Sequence, residues 1–472
     1  MSVLYDVQPQ EVFRYFEEIC AIPHGSGNTD AISAYCVNFA KKRGLYCERD
    51  AWNNVIIRKP ASPGYECAPT VILQGHLDMV CEKDPDCPLN METDGLQLQR
   101  NGDWVSAKGT TLGGDDGIAV AMALAILDDA SLCHPALEVL FTTDEETGMY
   151  GAAGLDGARL HGRLLLNIDS EQEGVLTVGC AGGARAEIAV PVQRERLDKP
   201  CFCVTVSGLI GGHSGVEIDK GRLNANTVLG AFLKSLDAPF RVVSMSGGNK
   251  DNAIPRTASC VLWYEEDLAQ KATAFAARAA VETDPDLTVT VTAADTAHLA
   301  LTQAASCRVA DFLVTVPNGI VSMSKDIEGL VQTSLNLGVL TLNEELTATF
   351  AVRSSLSNEK EQLKNQLVRC AETFGGKATF HGEYPAWEYR KDSVLREVMV
   401  GTYERLYDKT PIVEIIHAGL ECGLLSEKMD GLDAVSIGPD MADIHTTRER
   451  LSISSVERTY RYVCETLKAL KG

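Results

Sequence analysis

A chain of 472 residues is too long for one comfortable hydrophobic core, and at roughly 150 residues per domain two or three domains are expected. With 45% hydrophobic and 23% charged residues and no long polar tract, the composition is that of an ordinary globular protein and excludes a fibrous or natively unfolded one. A formal net charge of -22, without a run of Lys and Arg, argues against nucleic acid or an anionic membrane surface as partner.

Residues 1–10 carry acids and polar side chains where a secretory signal needs a basic start and an apolar core. No stretch approaches the ~18 to 20 apolar residues of a spanning helix, so no membrane is expected and the expected location is the cytoplasm. Residues 71–73 form a short apolar run that predicts a buried strand, leading into Gly75-His76-Leu77-Asp78. Taken alone, a histidine such as His76 is more often structural than functional. The glycine-rich stretch from Gly109 to Gly117 follows, with Asp115 and Asp116 near its end, and residues 118–127 behind it are apolar all round, as in a buried helix. A phosphate cradle is the rival reading of that stretch. It is disfavoured because a P-loop needs Lys then Ser or Thr after the glycines, a dinucleotide fingerprint spaces its glycines differently, and two acids repel phosphate. An Asp on a glycine-rich turn is better suited to bridging two cations.

Strands are predicted at 137–141 and 164–168, running into Asp144-Glu145-Glu146-Thr147-Gly148 and Asp169-Ser170-Glu171. Short apolar runs alternating with helical stretches over 71–170 suit a parallel sheet flanked by helices. From about 185 to 384 the texture changes. Alternating strands at 203–206, 287–291 and 346–352, with amphipathic helices at 268–281 and 359–374, predict an inserted α+β domain. The earlier style returns in strands at 412–416 and 434–437, the latter leading through Gly438-Pro439 to His445, and in an amphipathic helix over 456–470. The expected fold class is α/β: a catalytic domain in two parts, residues 1–186 and 385–472, with a mostly parallel central sheet flanked by helices, and an inserted domain over 187–384. The fifteen cysteines, odd in number and without the paired spacing of a zinc ribbon or redox motif, are read as reduced core residues. None sits in a recognisable nucleophile context.

His76, Glu146, Asp169 and His445 each follow a strand, and Asp115 sits on the glycine-rich turn. In open α/β sheets the ligand crevice lies outside the carboxyl ends of the strands, so these residues can converge although the sequence separates them. Solvated surface acids would show no such register. Imidazole with carboxylate is the ligand set of zinc, with manganese or cobalt as substitutes. The charges balance as well: two divalent ions against three carboxylates and a bridging hydroxide leave the site near neutrality.

Taken in order, Gly-His-Leu-Asp, Gly-Gly-Asp-Asp-Gly, Asp-Glu-Glu-Thr-Gly and the late His445 resemble the dinuclear zinc peptidases, the family of aminoacylases, carboxypeptidase G, carnosinase and PepD-type aminoacyl-histidine dipeptidases. Gly-Gly-His-Ser-Gly at 211–215, Asn-Ala-Ile-Pro-Arg at 252–256 and His-Ala-Gly-Leu-Glu-Cys-Gly at 417–423 are similar to the PepD-type branch, and the resemblance covers essentially the whole chain. It implies a zinc-peptidase catalytic domain with an inserted lid and dimerisation domain, two zinc ions per subunit, a homodimer formed through the inserted domain, and hydrolysis of unblocked dipeptides, Xaa-His or broad in preference. By resemblance His76 and Asp169 would hold one metal, Glu146 and His445 the other, and Asp115 would bridge them. Asp78 would orient the His76 ring and Glu145 would be the general base. His213 would stabilise the tetrahedral oxyanion in the neighbouring subunit's site, though a histidine between glycines also fits a tight turn. Asn252 and Arg353 would grip the substrate carboxylate, a role that the planar guanidinium fork suits. His417 and Glu421 would line the dipeptide pocket, with core packing equally open for His417. PepD-type chains carry Ser-Pro after the last His where this one has Thr446-Thr447, so a histidine preference does not follow. An N-acyl-amino-acid amidohydrolase shares the same metal chemistry. A non-catalytic binding protein is disfavoured because Glu145, Asp78 and His213 are all present.

Overall fold

The computed structural model describes residues 3–325, 327 and 329–471. The chain divides into two compact units. The first runs to Gly179 and takes in Tyr389–Ile415 and the chain from Leu420, and the second comprises Cys180–Glu388 together with Ile416–Gly419. The second unit therefore begins and ends a few residues outside the expected 187–384. Strand Gly182–Pro191 belongs wholly to its sheet, and Cys180 and Trp387 exchange backbone hydrogen bonds of 3.0 and 3.1 Å where the chain enters and leaves.

The first unit is built on an eight-stranded sheet in the order Tyr46–Arg49, Val55–Lys59, Leu137–Thr142, Val71–His76, Leu164–Asn167, Asp433–Ser436, Val175–Cys180, Ile412–Ile416. Val71–His76 pairs in parallel with the strand on either side, and Asp433–Ser436 is parallel to Leu164–Asn167. The parallel arrangement expected from the sequence thus holds for the four central strands, while Val55–Lys59 and Val175–Cys180 join them antiparallel. Every residue of Val71–His76 and Leu137–Thr142 is buried, which is why their apolar runs are continuous rather than alternating. Helix Gly114–Asp128 is buried from Gly117 through Leu127, and helix Gln10–Cys20 packs against it, with Phe16 and Ile19 beside Gly117.

The second unit holds a nine-stranded sheet. Eight strands follow the order Thr288–Leu301, Arg194–Ser207, Ala258–Tyr264, Phe240–Gly247, Val331–Leu342, Glu345–Ser354, Gly182–Pro191, Lys377–Tyr384, with Gly319–Met323 on Val331–Leu342. These pairs are antiparallel. One face is core: Leu346, Ala348, Phe350 and Val352 alternate inward along Glu345–Ser354 and join Phe232 and Phe312 of the covering helices in one apolar cluster.

Among the described residues no disulfide joins any of the fifteen cysteines. Cys47, Cys87 and Cys203 are only partly buried, and Cys67, Cys81, Cys133 and Cys307 are exposed in loops or on a helix surface, so the reading of the cysteines as core residues does not extend to these. Among the described residues no helix is long and apolar enough to cross a membrane.

Candidate metal centre

Because the four central strands of the first unit run parallel, their carboxyl ends open at one edge of the sheet. His76 ends its strand there, Glu145 and Glu146 follow Leu137–Thr142, and Asp169 follows Leu164–Asn167. Asp115, whose backbone is not helical, lies at the start of Gly114–Asp128 and reaches the same place. Its Oδ1 lies 3.1 Å from His76 Nε2 and its Oδ2 lies 3.2 Å from His445 Nε2. Asp169 Oδ1 is 3.5 Å from His76 Nε2, and Glu146 Oε1 is 2.9 Å from His445 Nε2. The five residues expected to hold metals therefore form two imidazole–carboxylate groups that meet at Asp115.

The electrostatics fit a cation site. Burial raises the Asp169 carboxyl to about 6, with His76 pulling it down and Asp115 and Glu146 pushing it up. Hydrogen bonds to Asp115 and Glu146 lift His445 to about 10, and carboxylates overcome burial to lift His76 as well. Two protons on imidazole here do the work of counter-ions for crowded acids. Divalent cations can replace them, and the nitrogen and oxygen donors suit zinc, manganese or cobalt. Ligand atoms of Asp115, Glu146 and His445 all lie within 4.8 Å of one another, as do those of His76, Asp116 and Asp169 and those of His76, Glu145 and Glu146.

Asp78 meets His76 through both its main chain and its side chain. The ring Nδ1 donates to the Asp78 main-chain carbonyl at 2.9 Å, and the carboxylate lies 3.6 Å from the same nitrogen. That carboxylate also accepts the Ser26 hydroxyl at 2.8 Å and the Glu145 and Glu146 backbone N–H groups at 3.1 and 3.4 Å. It ties the loop bearing both glutamates to the strand bearing His76.

Two acids without a sequence-assigned role also appear. Asp116 is fully buried and accepts the His76 backbone N–H at 3.1 Å. It also explains Gly75, where an added Cβ would lie 2.5 Å from Asp116 Oδ2 and 2.8 Å from Ala119 Cβ. The second is Glu449, whose carboxylate receives the backbone of the Asp115 turn.

Glu421 is 0% exposed, unlike the pocket wall expected of it. Its Oε2 accepts Gln74 Nε2 at 2.7 Å and Thr142 Oγ1 at 2.6 Å beneath the strand ends. Burial raises this carboxyl to about 7, opposed by Thr142. An acid whose folded pKa lies above its unfolded value stabilises fully below the unfolded value and loses that contribution as pH rises through about 7. Glu421→Gln, a neutral isostere, is expected to flatten the fall in melting temperature of metal-free protein between about pH 5 and pH 8. The effect is on the order of 3 kcal/mol at the upper end. Thermal unfolding across that range measures it, and an unchanged slope would show that Glu421 does not titrate there.

In the second unit, Gly212–His213 pairs with Ala253–Ile254, placing His213 opposite Ala253 and next to Asn252, whose carbonyl accepts the Ser214 N–H at 2.8 Å. His213 Nδ1 accepts the N–H groups of Gly215 and Val216 at 3.2 and 3.3 Å, which leaves the proton on Nε2. Burial and Arg353 keep this ring neutral, against Glu217. His417 is paired through Nε2 with Ser334 Oγ at 2.7 Å, and burial and Arg353 lower it to about 4. Arg353 Nη1 donates to Tyr384 Oη at 3.2 Å, while its buried Nε finds no acceptor among the described residues. His213, Asn252, Arg353 and His417 thus share one neighbourhood, cationic at Arg353 and flanked by neutral imidazoles.

Among known proteins, residues 72–469 match Peptidase family M20/M25/M40. The chain is 37% identical over 482 aligned residues to the cytosol non-specific dipeptidase of Escherichia coli, covering 100% of this chain and 99% of that protein. The crystal structure of aminoacylhistidine dipeptidase from Vibrio alginolyticus matches with a TM-score of 0.94 at 36% identity, over 99% of this chain and 98% of that one. Aminopeptidase PepT from Bacillus cereus, at a TM-score of 0.57 and 15% identity over 99% of this chain and 100% of that one, shares the fold.

Proposed function

Because the chain belongs to peptidase family M20/M25/M40, we propose that it is a metallo-dipeptidase that hydrolyses unblocked dipeptides. In this reading it holds two divalent ions, zinc with manganese or cobalt as substitutes, on His76, Asp115, Glu146, Asp169 and His445. The supporting observation is Asp115, whose two oxygens are divided between His76 at 3.1 Å and His445 at 3.2 Å. Ions bound there would polarise the scissile carbonyl and acidify the attacking water.

Glu145 is the general base that takes a proton from that water and returns it to the leaving amine. Burial raises its carboxyl well above the usual range, opposed by His76 and aided by Asp169, Glu421 and Glu146, which strengthens it as a proton acceptor. Asp78 holds the Glu145 backbone in place. Arg353 and Asn252 grip the substrate carboxylate, for which the unpaired Arg353 Nε is suited, and His417 shapes the wall beside them. His213, protonated on Nε2, donates to the tetrahedral oxyanion across a homodimer formed by the second unit, which also serves as lid. The name of the Escherichia coli relative supports a cytoplasmic location.

The test is a comparison of free dipeptides, Xaa-His among them, with their N-acetylated forms. Free dipeptides are expected to be cleaved with a kcat/KM at least roughly 10²-fold higher, since a pocket that pairs a free amine rejects the blocked one. Preference for the acetylated set would instead make the protein an N-acyl-amino-acid amidohydrolase.

A further inference from the structure

We propose that Glu449 is a positioning residue for the metal centre, an internal anion that locks the turn bearing Asp115 to the loop bearing His445. The inference rests on the metal-binding reading above.

Glu449 is 3% exposed. Its Oε2 accepts the backbone N–H groups of Leu112 and Gly113 at 2.7 and 3.1 Å, and its Oε1 those of Gly114 and Asp115 at 2.8 and 3.4 Å. Four successive N–H groups can converge on one carboxylate only if the chain curls around it. Gly113 supplies the curl with φ +65°, and an added Cβ there would meet Met79 Sδ at 2.8 Å. The glycine-rich turn that lacks the signature of a phosphate cradle is nonetheless an anion cradle. Its anion is the protein's own side chain: burial and Asp115 push this carboxyl up and the turn's N–H groups oppose them, and two donors on each oxygen suit the ionised form.

Glu449 lies four residues beyond His445, and its own N–H closes a turn onto the Thr446 carbonyl at 3.1 Å. Immediately after it, Arg450–Ser452 pairs with Trp104–Ala107 and Met441–Ala442, so the loop is anchored on the far side. The carboxylate therefore joins two segments that each end in a ligand, one of them the Asp115 shared by both imidazoles. Without it, three buried N–H donors and a partly buried fourth in the Asp115 turn lose their acceptor, and His445 loses its fixed reference to Asp115.

Zinc titration of full-length metal-free protein by calorimetry, with Glu449→Ala and Glu449→Gln beside wild type, tests this. Glu449→Ala is expected to bind zinc about 10 to 100-fold more weakly, as loss of a group that orients ligands usually does. Millimolar formate, small enough to refill the cradle, is expected to restore part of that affinity relative to wild type in the same buffer. Glu449→Gln fills the space without the charge, so it is expected to bind weakly and to show no rescue. Thermal unfolding of the metal-free forms runs in parallel. A variant that loses stability yet keeps wild-type zinc affinity would overturn the proposal, as would failure of formate to act on a folded Glu449→Ala. If Glu449→Ala does not fold, wild-type affinity in Glu449→Gln would overturn it equally. Failure of the metal-binding reading itself would show separately, as absence of zinc binding by wild type.

Discussion

Replacing Glu145 with alanine is expected to lower turnover of a free dipeptide by about 10² to 10⁴-fold, the range that a positioned acid–base group contributes, with the bound metal retained. The two halves of that result separate two roles the geometry allows. Glu145 offers an oxygen to the cluster of His76 and Glu146, so it could serve as a ligand. The neighbouring contacts favour the proton-transfer role: the glutamates are held by Asp78 through their backbone, and it is Glu146 that approaches His445, at 2.9 Å. Steady-state kinetics together with metal content of the purified variant decides the matter. Undiminished activity would sink the general-base assignment, and loss of metal would make Glu145 a ligand.

Removal of metal by a chelator is expected to abolish activity, and zinc, manganese or cobalt added separately to restore it. In the stripped protein the acids at the strand ends have only the protons of His76 and His445 to offset them. Both histidines are raised in the folded state, so their contribution to stability is complete below an unfolded value near 6.5 and is lost as pH rises through the folded values, about 10 for His445. Asp169, raised to about 6, changes in the same direction at lower pH. The metal-free form should therefore lose melting temperature steadily from acid to alkaline pH, and metal should restore the most at the alkaline end. Binding near pH 7 should also release protons, measurable by calorimetry in buffers of different ionisation enthalpy. A failure of all three metals to restore activity would remove the basis of the proposed mechanism.

The sequence showed the candidate ligand cluster plainly because its signals are local. A fully buried parallel strand is a short apolar run, and the residue after it lands at the sheet edge whatever the intervening chain does. His76, Glu146 and Asp169 could be placed that way. Glu449 could not, since its partners are backbone N–H groups 334 to 337 residues away by sequence and depend on a left-handed Gly113. The hold of Asp78 on the glutamate loop was equally hidden. A carboxylate two residues from a histidine can reach the ring, the next loop or both, and only packing decides. Short flanking strands such as Tyr46–Arg49, with little apolar content, carried too weak a pattern to reveal the antiparallel margin of the first sheet.

The four-residue segment Ile416–Gly419 has a consequence for anyone wishing to excise the second unit. The chain passes between the units four times, not twice, since this segment joins the second unit while the residues on either side belong to the first. A fragment cut at Cys180 and Glu388 would omit it. The Ala181 N–H would lose the Ile416 carbonyl it reaches at 3.1 Å, and the buried Ser334 hydroxyl would lose His417. An autonomous version of this unit would need the missing tetrapeptide grafted beside its first strand, or apolar replacements at the sites it covers.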